Sequence, residues 1–354
     1  MRILNVADFN WMTGSESQTA NVSLFDICRK FSLAANRANH LVVEFSDRAV
    51  ARMGAVFRPP SGPSGRAERR FLQVVDELRP ELILLHFADR IGNPALVEAR
   101  KLSPGVVIAE VNIDPIDDPK NHRRLAGRAD VLDGLFVTTA EPALGALVGR
   151  GGFAAYLPNP VDAAIETGRQ FAARTTAFDL LFPAGDARPR EVGDQRLAPA
   201  EAVRRLKQSL PEMRVTAPGV GDEPKARGIA YFDALSSARL GWSLSRRAGL
   251  PLYASDRMAH FFGWGLTVLL DRRAGFDRFY SDDECAFYEG FDGLVALTRK
   301  LLADDDAARA MAQRGWSKTW ALFESGRVFA YVLAQLGDEG GARGYEWPCE
   351  RWGR

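Results

Sequence analysis

The sequence predicts an α/β protein built from two doubly wound, parallel-sheet domains, and three observations carry that reading. Short runs rich in Val, Ile and Leu recur as "RILNVAD", "LVVEFSD", "LILLHFA", "GVVIAEVN" and "GLFVTTA". Stretches with helical apolar spacing separate them, "AERRFLQVVDELRP" being the plainest. The same rhythm then starts afresh at "FDLLFPAGD" and continues through "PAEAVRRLKQSLP", "MRVTAPG", "ARLGWSLS" and "LTVLLDR".

Each apolar run is short, almost uniformly hydrophobic and ends in polar residues, as expected of strands covered on both faces that open into functional loops at their C-terminal ends. Pro158, Asn159 and Pro160 interrupt the last strand of the first series, and the polar stretch that follows reads as a hinge. The pattern places a first Rossmann-like domain at residues 1–170, a second at 171–322, and a returning helix with a tail at 323–354. Residues 291–338 carry three helical patterns, the last of which is read as crossing back to the first domain. The tail "EGGARGYEWPCERWGR" has no period and is read as either disordered or packed by its aromatic residues.

With 354 residues the chain is long enough for two cores, and two domains imply a cleft between them. Forty-six basic residues against forty-five acidic ones give a net charge of +1, which offers no broad footprint for nucleic acid. Cys28, Cys285 and Cys349 are far apart and without CxxC spacing, so neither a disulfide framework nor a zinc site is indicated. The opening residues read as a buried strand and no run approaches a membrane span. A reducing cytoplasm is the expected setting.

Candidate site residues follow from the strand ends. The helix beginning at "YASDR" offers free backbone N–H groups and the cation Arg257, a combination suited to a diphosphate, with Tyr253, Ser255 and Asp256 at its start. Ser255 or Asp256 capping the helix, and Arg257 paired with Asp256 or Asp271, are the structural alternatives. Arg246 and Arg247 follow "LGWSLS", one of them read as merely solvated and Arg246 favoured for the site with Ser245 as a neighbouring donor; Gly185 lies in the first turn of the second domain, with Arg188 and Arg190 just beyond it in a proline-rich stretch that also reads as a plain surface loop.

In the first domain, Gly14 sits in "DFNWMTGSES", a loop suited to sugar hydroxyls or phosphate but matching no phosphate-loop motif. His86 ends one strand and Asn112 with Asp114 another; His86 is read either as the base that deprotonates an acceptor hydroxyl or as a binding or packing residue. Asp117, Asp118 and His122 form a proline-punctuated turn, and no metal is expected there.

Taken with "FSDRAVARMG", "LFVTTAEPAL", "YLPNPVD" and "YFDALSSARLGWSLSR", the block "SDRMAHFFGWGLTVLLDRRAGFDRFY" resembles the CgeB-like, spore-maturation-type branch of the GT-B glycosyltransferases. The resemblance implies a GT-B architecture in which the second domain holds a nucleotide-sugar donor and the first an acceptor. It implies no cofactor beyond the donor as co-substrate and no metal. Arg257 and Gly265 match the family stretch that lies against the nucleotide, and Gly263, within that stretch, is counted with the substrate-binding residues. His260 stands where the family usually has the glutamate that holds the ribose, and imidazole can replace a carboxylate in holding a hydroxyl. A core histidine is the alternative. The donor's base and sugar, the acceptor (protein, lipid-linked glycan or polysaccharide) and the oligomeric state are not legible. A non-catalytic binding scaffold and a sugar-nucleotide epimerase on the same plan are the competing functional readings.

Overall fold

Contacts divide the chain into two compact units, Met1–Pro160 with Ser325–Arg354, and Val161–Glu324. The computed structural model describes residues 1–9, 26–53, 62–337 and 342–353. Gly14 lies outside the described residues.

Unit 1 runs β1 (Arg2–Ala7), α1 (Ile27–Arg37), β2 (Leu41–Ser46), α2 (Asp47–Arg52), α3 (Gly65–Leu78), β3 (Leu82–His86), α4 (Asn93–Leu102), β4 (Val107–Asn112), α5 (Pro119–Ala126), β5 (Gly134–Val137) and β6 (Phe153–Tyr156). Its six strands are all parallel, in the order β2-β1-β3-β4-β5-β6. Every residue of β3 is buried, as a strand covered on both faces requires. In α3 the buried residues are Ala67, Phe71 and Val75, four apart and therefore on one face. The order reverses between β1 and β3. Such a reversal splays the loops on either side of it and leaves a crevice at the carboxyl ends of those two strands.

The closing segment belongs to this unit. The helix Ser325–Leu336 packs on α1, with Phe31 and Phe329 rings 5.5 Å apart. Trp347 is buried in the tail, and Trp352 exchanges backbone hydrogen bonds of 2.6 and 2.8 Å with Ala154. The tail's described residues are therefore packed, and they cover the edge of β6 that would otherwise stand open to another chain.

Unit 2 repeats the plan with β7 (Phe178–Leu181), β8 (Arg190–Val192), β9 (Gln195–Leu197), α6 (Pro199–Ser209), β10 (Val215–Thr216), α7 (Ile229–Ser237), β11 (Ala238–Ser243), α8 (Asp256–Trp264), β12 (Thr267–Asp271), β13 (Ala286–Tyr288), α9 (Gly290–Ala303) and α10 (Asp305–Phe323). The parallel sheet has the order β10-β7-β11-β12-β13, so its reversal falls between β7 and β11. Phe182 and Trp242, 4.9 Å apart, fill the core below that reversal, and the Trp242 indole donates to the Tyr288 hydroxyl at 3.0 Å. The proline-rich stretch after "FPAGD", which also reads as a plain loop, instead forms the antiparallel hairpin β8–β9, because Gly193 supplies the positive φ its turn needs.

Candidate functional site

In unit 2 the register sets Gly241 beside Leu181 and Leu181 beside Thr216, so the segments after β7, β10 and β11 emerge together at one end of the sheet. Arg257, in the first turn of α8, reaches across the reversal. It donates to the carbonyl of Pro183 beyond β7 at 3.1 Å and to that of Leu244 beyond β11 at 2.5 Å. Its Nε–H is buried with no acceptor among the described residues, and the same holds for Nε of Arg190.

These two guanidinium groups repel each other. Arg190 is pushed down to about 10, first by burial and then by the charge of Arg257. A carboxylate, Asp186, is shared by several cations: Arg246 donates to it at 2.8 Å, Arg188 at 3.0 Å, and Arg190 lies 3.8 Å away. Burial works against its ionisation, but Arg246 and Arg188 outweigh that and hold it below the usual carboxylate range. One negative charge among four arginines leaves this end of the sheet strongly positive.

Beside Arg257 lies a cavity of about 250 Å³ lined by Pro183, Ala184, Gly185, Pro218, Lys225, Ala226, Arg227, Tyr231 and Arg257. Three of those residues are cations and, among the described residues lining it, none is a carboxylate. Gly185 has open space where a side chain would project, whereas a Cβ on Gly219 would sit 2.2 Å from the Ala184 carbonyl. The two loops are thus pressed together beneath the cavity while its mouth is clear. The helix start contributes as well: Ser255 stands at the N-cap without making a side-chain cap, and its buried hydroxyl has no partner among the described residues.

Of the residues anticipated from the sequence, Arg257 and Gly185 line this cavity, and Arg246 joins the cationic cluster around Asp186. Tyr253 contributes to the electrostatics of Arg257 and Arg190. Ser245 engages through its backbone, its carbonyl accepting from Glu191 N–H at 3.3 Å. Asp256, the first helical residue, does not line the cavity. Arg188 is more than half exposed and folds back on Asp186 within its own turn. Lys225, Arg227 and Tyr231 also line the cavity, from the stretch "PKARGIAYF" beyond β10, whose sequence shows charge but no period that would aim it.

Three anticipated nucleotide contacts serve packing instead. His260 is 3 % exposed and its Nδ1 lies 2.7 Å from the buried Glu166 carboxylate. A Cβ on Gly263 would meet Glu166 and Val161 below 3 Å, and Gly265 is the left-handed C-cap of α8. The physical reason is helix rise: each three-residue step moves about 4.5 Å down the axis. His260 and Gly263 therefore lie one and two turns below the charged end and meet residues 161–171. Replacing His260 with Leu is expected to remove the 2.7 Å contact with Glu166 at a cost of about 2 kcal/mol in urea denaturation.

Unit 1 holds its own cavity, of about 250 Å³, at the β1–β3 reversal. Register places Ala7 beside Ser46 and Val6 beside Leu85, so Asp8, Asp47 and His86 emerge together. All three line the cavity, with Asp26 and Arg48. Arg48 pairs with Asp8 at 3.1 Å and Asp89 at 3.0 Å. Asp47 accepts from the backbone of Arg48 and Arg90, and burial raises it to about 6.

His86 is 5 % exposed, and burial pushes it down to about 3. The ring is neutral, and so weak a base is poorly matched to deprotonating a hydroxyl; its two nitrogens have no partner among the described residues. Asn112, expected to open into the site, is fully buried and committed, donating to the Asp114 carbonyl at 2.7 Å and accepting from Arg124 at 3.0 Å. Arg124 is drawn there by Glu110, two residues back on the same face of β4. Asp118 caps α5.

Against known proteins, a family model described as glycosyl transferase-like matches residues 190–334. No curated protein matches the chain. Among solved structures, an α-glucosyltransferase in complex with UDP-glucose and DNA containing an abasic site aligns over 95% of this chain and 98% of its own, at 9% identity and a TM-score of 0.60. HepE from Anabaena, in complex with UDP and glucose, aligns over 94% and 98% at 12% identity and 0.57. Sucrose-phosphate synthase from Thermosynechococcus elongatus aligns over 94% and 97% at 12% identity and 0.55. With the two parallel sheets, these likenesses define an α/β protein of the GT-B fold with two Rossmann-like domains. Among the described residues, no helix is long and apolar enough to cross a membrane.

Proposed function

We propose that this chain is a glycosyltransferase that moves a sugar from a nucleoside-diphosphate donor to an acceptor hydroxyl, with the donor held in unit 2. The observation that carries this reading is the pair of mutually repelling guanidinium groups at the β7–β11 reversal, each with a buried N–H that has no acceptor among the described residues, beside a cavity whose lining includes Lys225, Arg227 and Arg257. An anion with several oxygens relieves both the repulsion and the missing hydrogen bonds. The glycosyl transferase-like family match over residues 190–334 spans Arg190, Arg246 and Arg257, and solved proteins of the same fold are complexes with UDP and UDP-glucose.

In the reaction the bond from the anomeric carbon to the diphosphate oxygen breaks, a bond to the acceptor oxygen forms, and the acceptor proton is released. Negative charge grows on the departing diphosphate. In this reading Arg257, Arg190 and the start of α8 stabilise it, at about 3 kcal/mol per well-aimed donor. Fixed cations supply here what a metal supplies in other transferases, so the reading is of a metal-independent, hexosyl-transferring enzyme of the CgeB-like branch. A soluble cytoplasmic setting fits that role.

Thermal shift with UDP, GDP, dTDP and ADP tests the reading. One of the four is expected to stabilise the protein by about 2.7 kcal/mol at a hundredfold excess over Kd, which raises Tm by several degrees. A panel that leaves Tm unmoved overturns it. A non-catalytic scaffold is the second reading, favoured by the burial of His260 against Glu166, which takes the imidazole away from any ribose. Donor turnover by the purified protein decides against the scaffold.

A further inference from the structure

The unit 1 cavity carries information about the second substrate. It sits at the carboxyl ends of β1 and β3, where the strand order reverses and ligands of open α/β sheets bind. Two of its lining residues carry unsatisfied polar atoms: Oδ1 of Asp8 and both ring nitrogens of His86 are buried with no hydrogen-bond partner among the described residues. A neutral imidazole presents one donor and one acceptor, and a carboxylate oxygen accepts. Together they match hydroxyl groups, each of which both donates and accepts.

Charge narrows the class. Asp8, Asp26 and Asp47 line the cavity against the cation Arg48, which is already bound by Asp8 and by Asp89 from outside the lining. An incoming carboxylate or phosphate meets three carboxylates to one cation among the described residues lining the cavity, and that guanidinium is already engaged, whereas an ammonium is attracted. The contrast with the cation-lined cavity of unit 2 is complete.

We infer that the unit 1 cavity binds a polyhydroxylated, sugar-like ligand free of acid groups, neutral or amine-bearing, through Asp8 and His86. That this ligand is the glycosyl acceptor rests on the transferase reading; the binding itself does not.

Saturation-transfer NMR on the full chain tests the inference with three probes: methyl α-glucopyranoside, glucosamine and glucuronate. Each is measured on the wild type and on His86→Phe, in which a ring of similar size removes both nitrogens. The expected result is transfer to the neutral and amine probes that falls by about tenfold in the variant, with no wild-type-minus-variant difference for glucuronate. Equal signals in the two proteins, or no transfer at all from either probe, overturn the inference, as does a loss for glucuronate matching that of the others. Should His86→Phe fail to fold, Asp8→Asn replaces it: glucosamine is then expected to lose more than methyl glucoside, and equal retention of both overturns the idea. Nucleoside diphosphate binding, a property of unit 2, is recorded on the same samples. Its absence from every sample sinks the transferase reading while leaving the sugar result to stand or fall alone.

Discussion

Replacing Arg257 with alanine is expected to weaken nucleoside diphosphate binding on the order of a hundredfold and to lower the transfer rate by roughly two to three orders of magnitude. The two effects share a cause. The guanidinium spans the carbonyls of Pro183 and Leu244 and turns a third donor, Nε–H, toward buried space. Truncation also takes the side-chain donor from the Pro183 carbonyl and leaves the Leu244 carbonyl with only the longer bond from Arg190 at 3.4 Å, so a stability loss of about 1–3 kcal/mol accompanies the functional one. Arg257→Lys separates them: it restores a point charge without the planar fork. Isothermal titration should show partial recovery of diphosphate affinity in the lysine variant, with rate still depressed. An alanine variant that binds diphosphate as well as the wild type would remove Arg257 from the donor site.

The second large effect is on acid stability. His86 ordinarily titrates at 6.5 and is held at about 3 in the folded protein by burial. Between those values the folded chain holds fewer protons than the unfolded one, so this group's contribution to stability falls as pH falls through the window. Asp47, raised to about 6 by burial, acts in the opposite sense between about pH 4 and 6 and partly masks the trend in the wild type. Comparison with His86→Phe cancels the Asp47 contribution. Near neutrality the two proteins should melt together, or the variant slightly higher, because a buried polar ring without partners has been removed. By pH 4 the variant should lead by about 3 kcal/mol in urea titrations. Parallel pH profiles would show that the imidazole is solvated in the folded state.

The fold was legible because its strands announce themselves. Runs such as "LILLH" are buried along their whole length, as strands of a parallel sheet covered on both faces by helices are. The strand-end rule points to Arg257, Gly185 and Arg246, which the structure brings to one end of the unit 2 sheet. It failed for Asn112 because the partner that captures it, Arg124, is recruited by Glu110, a carboxylate hidden inside an apolar run. His260 and Gly263 sit on the same helix as Arg257, yet their neighbour Glu166 lies 94 residues upstream of His260, a proximity no local pattern encodes. Lys225 and Arg227 escaped notice because a loop without period gives charge but not direction. Their importance appears only when Pro218 and Gly185 are seen to border the same space.

One feature of chain connectivity bears on how the protein is made. Unit 2 enters and leaves at a single point, where the Val161 amide donates to the Phe323 carbonyl at 2.9 Å, so it is threaded into unit 1 as an insert. On the ribosome, the first 160 residues emerge with β6 bare on one side, and the strip containing Trp352 that shields it is translated only after the whole insert. At roughly 5–20 residues per second, that nascent sheet edge stays open for on the order of ten seconds or more. The interval is long enough for chaperone capture or for pairing with a neighbouring polypeptide, and slowing translation within the insert should lower the soluble yield.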